Sequence, residues 1–282
     1  MLVSAIYNMK ELNKLNGLID AAVLNTKDYS IIYDDLNLDL AYSFCLNNKI
    51  LPIISLNKMF YPNELDNIKD IYLKYDKALF LITDLGLYHI AKGLKLENKL
   101  IYNPETMLTN YLDLNLYASL GFNALAMSLE IPFKDVIFAK NETNANLFYM
   151  VFGKRMMLYS RRKLLSLYKE KANINIPNEV MYLKEVNRDD YFPILENENG
   201  TKIFRSYIVS YLDLLDDDYF LYNYLDSFDI DFDTYKKVVT IYKNYLDKKI
   251  NKEEAINNLN ALNLNLEDGF KYKDSVYQKE EF

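Results

Sequence analysis

The chain of 282 residues has one cysteine, one histidine, no tryptophan, seven glycines and six prolines. A single thiol forms no disulfide within one chain and cannot by itself supply a cysteine-ligated iron–sulfur cluster. That thiol, Cys45, stands in Leu40-Ala41-Tyr42-Ser43-Phe44-Cys45-Leu46, an apolar stretch with helical character, and reads as a small buried hydrophobe. The lone histidine, His89, has no second histidine with which to make a zinc motif, and it falls at the start of a helical pattern. No metal site is expected. Ser160 lacks the Gly-x-Ser-x-Gly elbow and has no adjacent base, so serine-hydrolase chemistry has no footing. No apolar run reaches membrane-spanning length, and Met1 to Tyr7 carries neither a basic leader nor a cleavage site. A cytoplasmic protein without membrane contact is expected.

What is present is ordinary globular composition, 50% hydrophobic and 26% charged. The net charge of −7 excludes indiscriminate attraction to nucleic acid, so any RNA contact must use a local basic patch. The abundance of Asn, Lys, Ile and Tyr matches an AT-rich genome and says little about function.

Short apolar runs recur at Leu2 to Tyr7, Ala21 to Leu24, Leu51 to Leu56, Ala78 to Thr83, Lys99 to Tyr102, Ala124 to Leu129 and Asn146 to Phe152. Their spacing of roughly 20–30 residues is that of one strand–helix unit. The runs are continuous rather than alternating, as in strands buried on both faces of a parallel sheet. Between them, Leu65, Ile68 and Leu73 fall near one helical face, and Pro62, Pro104 and Pro132 sit where helices would start. The expected fold is a TIM-like (β/α) barrel in a single domain, 1–282, with two domains as the alternative. After Ser166 the pattern turns antiparallel, giving a β-hairpin insertion at 176–206 closed by Asn199-Gly200. Ser206 to Leu215 offers a late strand, and 232–282 a C-terminal helical extension.

Each early strand run ends at a hydrogen-bonding side chain: Asn8, Asn25, Asn57, Asp84, Asn103 and Glu130. In a barrel these positions converge on one mouth; as simple turn residues they would not. Asp84 and Glu130 could face each other as a carboxylate pair for acid–base work. Five cations, Lys154, Arg155, Arg161, Arg162 and Lys163, flank the strand-like segment from Met156 to Ser160, suited to phosphate or carboxylate recognition or else to a solvated rim. The runs Asp34-Asp35 and Asp216-Asp217-Asp218 read as solvated loops.

Several landmarks in order resemble the collagenase-like peptidase family U32: Pro52-Ile53-Ile54-Ser55-Leu56-Asn57, Thr83-Asp84-Leu85-Gly86, Tyr102-Asn103-Pro104-Glu105-Thr106 with Asn110, Gly121 followed by Leu129-Glu130, and Tyr159-Ser160-Arg161-Arg162-Lys163-Leu164-Leu165-Ser166. Pro193-Ile194 with Gly200-Thr201 resembles the family's hairpin, and Gly269-Phe270 with Tyr272 a terminal motif of its short bacterial members. The resemblance implies a barrel and two competing activities, proteolysis and oxygen-independent hydroxylation of RNA bases or a quinone ring. For members acting on transfer RNA it implies wobble-uridine hydroxylation with prephenate as a co-substrate. It points to Asp84 and Glu130 as catalytic residues, and to Asn57, Asn103, Glu105, Arg155, Ser160, Arg161 and Arg162 as substrate-binding residues. Lys163 and Phe152 stand where relatives carry Cys and His. The implied partners are therefore transfer RNA and a cysteine-bearing paralogue in a heterodimer, with no cluster expected in this chain. The alternatives are a collagenase-like peptidase and a noncatalytic partner subunit.

Overall fold

A computed structural model describes residues 1–173, 179–187, 189–215 and 219–273. Its centre is a closed barrel of parallel strands: β1 (Leu2–Ile6), β2 (Ala21–Leu24), β3 (Leu51–Leu56), β4 (Leu79–Ile82), β5 (Leu100–Tyr102), β6 (Ala124–Ala126) and β7 (Leu147–Gly153) pair in chain order. Four further strands follow before closure: β8 (Met156–Ser160), β9 (Met181–Lys184), β10 (Tyr191–Asn197) and β11 (Gly200–Phe204) form a separate antiparallel sheet in the order 8-11-10-9. The two-residue β12 (Val209–Ser210) runs antiparallel along β7. The eighth barrel strand is β13 (Tyr222–Leu225), parallel to both β7 and β1.

Ser206 to Leu215 does supply a late strand, but not the one that closes the barrel. It gives only β12, and then leads to Tyr211, Leu212 and Leu215, all buried against the outside of the barrel. Within 176–206, β10 and β11 form a hairpin that belongs to a larger sheet, because β9 pairs with β10 and β8 with β11. Its turn is made by Glu198 and Asn199, since Asn197 already pairs with Gly200. Gly200 has φ +107°, and a Cβ there would lie 2.0 Å from the Ser160 carbonyl oxygen. Only glycine fits where the turn meets β8. The Asp216–Asp218 run lies outside the described residues.

Around the barrel lie α1 (Met9–Leu15), α2 (Leu38–Asn47), α3 (Ile68–Lys74), α4 (Leu85–Gly93), α5 (Tyr111–Ser119), α6 (Phe133–Asn141), α8 (Phe232–Leu246) and α9 (Lys252–Asn260), while α7 (Leu164–Ala172) follows β8. Many of their starts are written in the sequence as Asn or Asp: Asn8, Asn37, Asp84, Asn110, Asp231 and Asn251 each accept a backbone N–H of the first turn. Pro132 directly precedes α6, but Pro104 leads into a turn, and the next helix waits for Asn110. In α3, Ile68 and Tyr72 are buried while Leu73 is exposed, so the apolar face runs i, i+4 from Ile68 rather than through Leu73. Cys45 is buried in α2, and desolvation raises its thiol pKa to about 12. His89 is exposed on α4. Among the described residues no helix is long and apolar enough to cross a membrane.

Alternation along each strand splits the core in two. Val3, Ala21, Val23, Ile53, Leu81, Ile101, Ala124 and Phe148 fill the barrel interior, while neighbours such as Ile6, Leu24, Ile54 and Phe80 pack outward beneath the helices. This two-sided burial explains why the strands read as continuous apolar runs.

Candidate functional site at the barrel mouth

The same alternation decides which strand-end side chains reach the mouth. Tyr7 continues the inward positions Val3 and Ala5 of β1, so Asn8 turns outward and caps α1. Asn25 follows inward Val23, Asn57 follows Ile53, and Asn103 follows Ile101; all three line one cavity of about 100 Å³. Glu130, Arg155, Lys154 and Glu105 line it as well, above a floor that includes Leu81, Ala126 and Phe148.

Asp84 does not line this cavity. Leu81 faces inward, which sends residue 84 outward, and its carboxylate accepts the Gly86 N–H at 2.7 Å as the cap of α4. The expected facing pair of Asp84 and Glu130 is therefore absent, because one side chain is at the mouth and the other holds a helix end. Glu130 instead pairs with Arg155 at 2.8 Å, whose other arm donates to the Leu129 carbonyl at 2.9 Å. The Arg155 side chain is 4% exposed, that of Glu130 43%.

The remaining arginines lie away from the cavity lining. Arg161 donates to Glu64 at 3.0 Å and to Asn199 at 3.2 Å, and its guanidinium lies 4.6 Å from the centre of the Tyr61 ring. Arg162 is exposed, and its backbone N–H donates to the Ser160 hydroxyl. Ser160 thus serves the local turn. The Asn199 amide donates to the carbonyls of Lys27 and Ser30, and Asn197 to that of Ile31. These bonds tie the tip of the appended sheet to the loop after β2, whose Ile31 and Ile32 are a cavity wall.

Sequence reasoning missed Tyr224 and Asp226 because β13 was missed, and Tyr7 because it read as the apolar end of the first run. The signal was the one used elsewhere, a hydrogen-bonding residue directly after a strand. Asp226 accepts from Tyr7 Oη (2.7 Å), Tyr224 Oη (2.8 Å) and the Phe228 N–H (2.8 Å). Burial raises its pKa, against the lowering effect of these donors. Glu105 sits in the left-handed region at φ +61°, its N–H donating to Asn103 Oδ1 at 3.2 Å. Desolvation pushes its carboxyl to about 7; Arg155 opposes the rise and the charge of Asp226 adds to it. The cavity thus combines carboxylates of differing proton affinity, one guanidinium, three amides and an apolar floor, a set suited to holding a small polar ring and moving protons on it. Among the described residues no group of three or more His, Cys, Asp or Glu could hold a metal ion.

The sequence model of peptidase family U32 matches residues 33–278. The chain belongs to this family. The tRNA hydroxylation protein P2 of Bacillus subtilis (strain 168) is 25% identical over 252 residues, covering 79% of this chain and 80% of its own length. The solved structure of the U32 peptidase Mk0906 superposes with a TM-score of 0.50 over 80% of this chain and 91% of that one, at 9% identity, a likeness of fold. The U32 match takes in β3 to β13, that is, six of the eight barrel strands and the whole appended sheet, and leaves β1 and β2 outside it.

Proposed function

We propose that this chain is a component of prephenate-dependent 5-hydroxylation of the transfer-RNA wobble uridine, with the barrel-mouth cavity as its working site. The observation that carries the reading is the similarity to the Bacillus tRNA hydroxylation protein over four fifths of both chains. The cavity agrees in scale: about 100 Å³ walled by Asn25, Asn57 and Asn103 suits one small ring, not an extended peptide. Prephenate carries carboxylates, and Arg155 is the planar fork placed to receive one, in exchange for the partly exposed Glu130. Arg162, exposed beside the appended sheet, is free to meet a phosphate. The cluster chemistry that a chain with a single buried cysteine lacks would come from a cysteine-bearing paralogue in a heterodimer.

Deleting the gene should abolish hydroxylated wobble uridine in nucleoside mass spectrometry, and blocking prephenate synthesis should do the same. An unchanged nucleoside profile in the deletion strain rejects the reading. Peptidase activity is the second reading, favoured by the presence of the Glu105 and Asp226 carboxyls in one cavity lining, where they could activate a water. It requires that purified protein cleave denatured collagen and that Asp226→Asn abolish cleavage.

A further inference from the structure

The acids around the mouth are engaged to very different degrees. Asp226 is held by three donors, Glu130 by Arg155, and Glu64 by Lys58 and Arg161. Asp229 is bound by Lys154 and by the hydroxyl of Tyr182. Glu105 has one long contact, 3.4 Å from Asn103 Nδ2 to Oε1. Its backbone is held at a positive φ that a non-glycine residue adopts only under constraint, here the turn closed by the Asn103 side chain.

We propose that Glu105 is the catalytic residue that takes a proton from the molecule bound in the cavity and returns it, with Asp226, held by three donors in the same cavity lining, as a positioning residue. The inference rests on the hydroxylation reading for its substrate and on the cavity alone for its chemistry. The step is proton transfer only. An O–H, N–H or acidic C–H bond of the ligand breaks, its electron pair stays on the ligand, and the proton becomes the hydrogen of the Glu105 carboxyl until the ligand's electron pair takes it back and the carboxylate is restored.

The groups around Glu105 favour this role. Arg155 precedes β8, Glu130 follows β6, Tyr7 ends β1, and Tyr224 and Asp226 close β13. Desolvation is the largest influence on Glu105, Arg155 favours its charged form and Asp226 its neutral form. A carboxyl so balanced titrates at about 7 and can both accept and release a proton in neutral solution. Asp226, with all its donors in place, serves better as a fixed charge than as a shuttle.

The test has two arms. In the purified protein, infrared difference spectra should show a protonated carboxyl band that disappears between pH 6 and 8 in the wild type. The band should be absent in Glu105→Gln and shifted to lower pH in Asp226→Asn. In the deletion strain, Glu105→Gln expressed at wild-type level should restore less than a tenth of the hydroxylated uridine, and Glu105→Asp should recover part of it. Wild-type hydroxylation with Glu105→Gln overturns the proposal, as does a titrating band that persists in that variant. If the wild-type gene itself restores nothing, the hydroxylation reading falls, and the infrared titration alone decides whether Glu105 exchanges a proton near neutrality. Circular dichroism identifies a variant that does not fold, in which case Glu105→Asp carries the comparison.

Discussion

Burial that raises the pKa of Glu105 also makes its ionised form unfavourable in the folded state. The folded pKa, about 7, exceeds the 4.5 of the free group, so the folded chain binds more protons than the unfolded chain between those values. Its contribution is therefore fully present below about pH 4.5, and is lost as pH rises through 7. Glu105→Gln removes the ionisation and should raise stability at pH 8 by about 1–3 kcal/mol relative to wild type, with a much smaller gain at pH 5. Thermal melts of both proteins at the two pH values measure this. An equal shift at both would mean the carboxyl is not desolvated as described. The sequence marked Glu105 only through the family resemblance, as a substrate-binding residue; Asp226 was hidden behind an unrecognised strand, so no charge balance could be read.

At the scale of elements, seven of the eight barrel strands were legible, because two-sided burial demands uninterrupted Val, Ile, Leu and Ala. The eighth, Tyr222–Leu225, was not: Tyr222, Asn223 and Tyr224 look like loop, and become interior only because their polar atoms find Asn123, Phe220 and Asp226 far away or across turns. The site was half legible for a related reason. Strand ends identify candidates, but the inward or outward parity that separates Asn57 from Asp84 depends on which side each strand turns to the axis. The appended sheet was legible as a hairpin, while its purpose was not. Asn199 bridges that sheet to the Lys27 and Ser30 carbonyls and to Arg161, so it holds the loop forming the Ile31–Ile32 wall. Asn199→Ala should leave the barrel intact, destabilise the protein by about 1–3 kcal/mol, and speed amide hydrogen exchange in residues 26–32. Unchanged exchange there would show that the loop holds itself.

For the whole molecule, the decisive contact is the seam where the last described strand meets the first. β13 pairs with β1 and β7, closing the ring only after an excursion through β8 to β12. Tyr235 of α8 lies under that seam, fully buried, its hydroxyl 2.7 Å from Ser4 Oγ of β1 and donating to the Leu225 carbonyl of β13 at 3.0 Å. A chain ending at residue 215 keeps seven strands of the barrel yet leaves β1 and β7 as open edges beside an exposed apolar interior, so it should aggregate rather than unfold cooperatively. Tyr235→Phe in the full chain preserves shape and closure, removing only the hydroxyl that bridges the two strands. It should lower stability by about 1–3 kcal/mol in urea titration without changing the slope of the transition, because the surface exposed on unfolding is the same. A shallower slope would mean the seam had opened before the rest. Closure would then be a separate event, and the ring of polar groups at the mouth, with Tyr7 from the first strand and Asp226 from the last, would form only while that seam is shut.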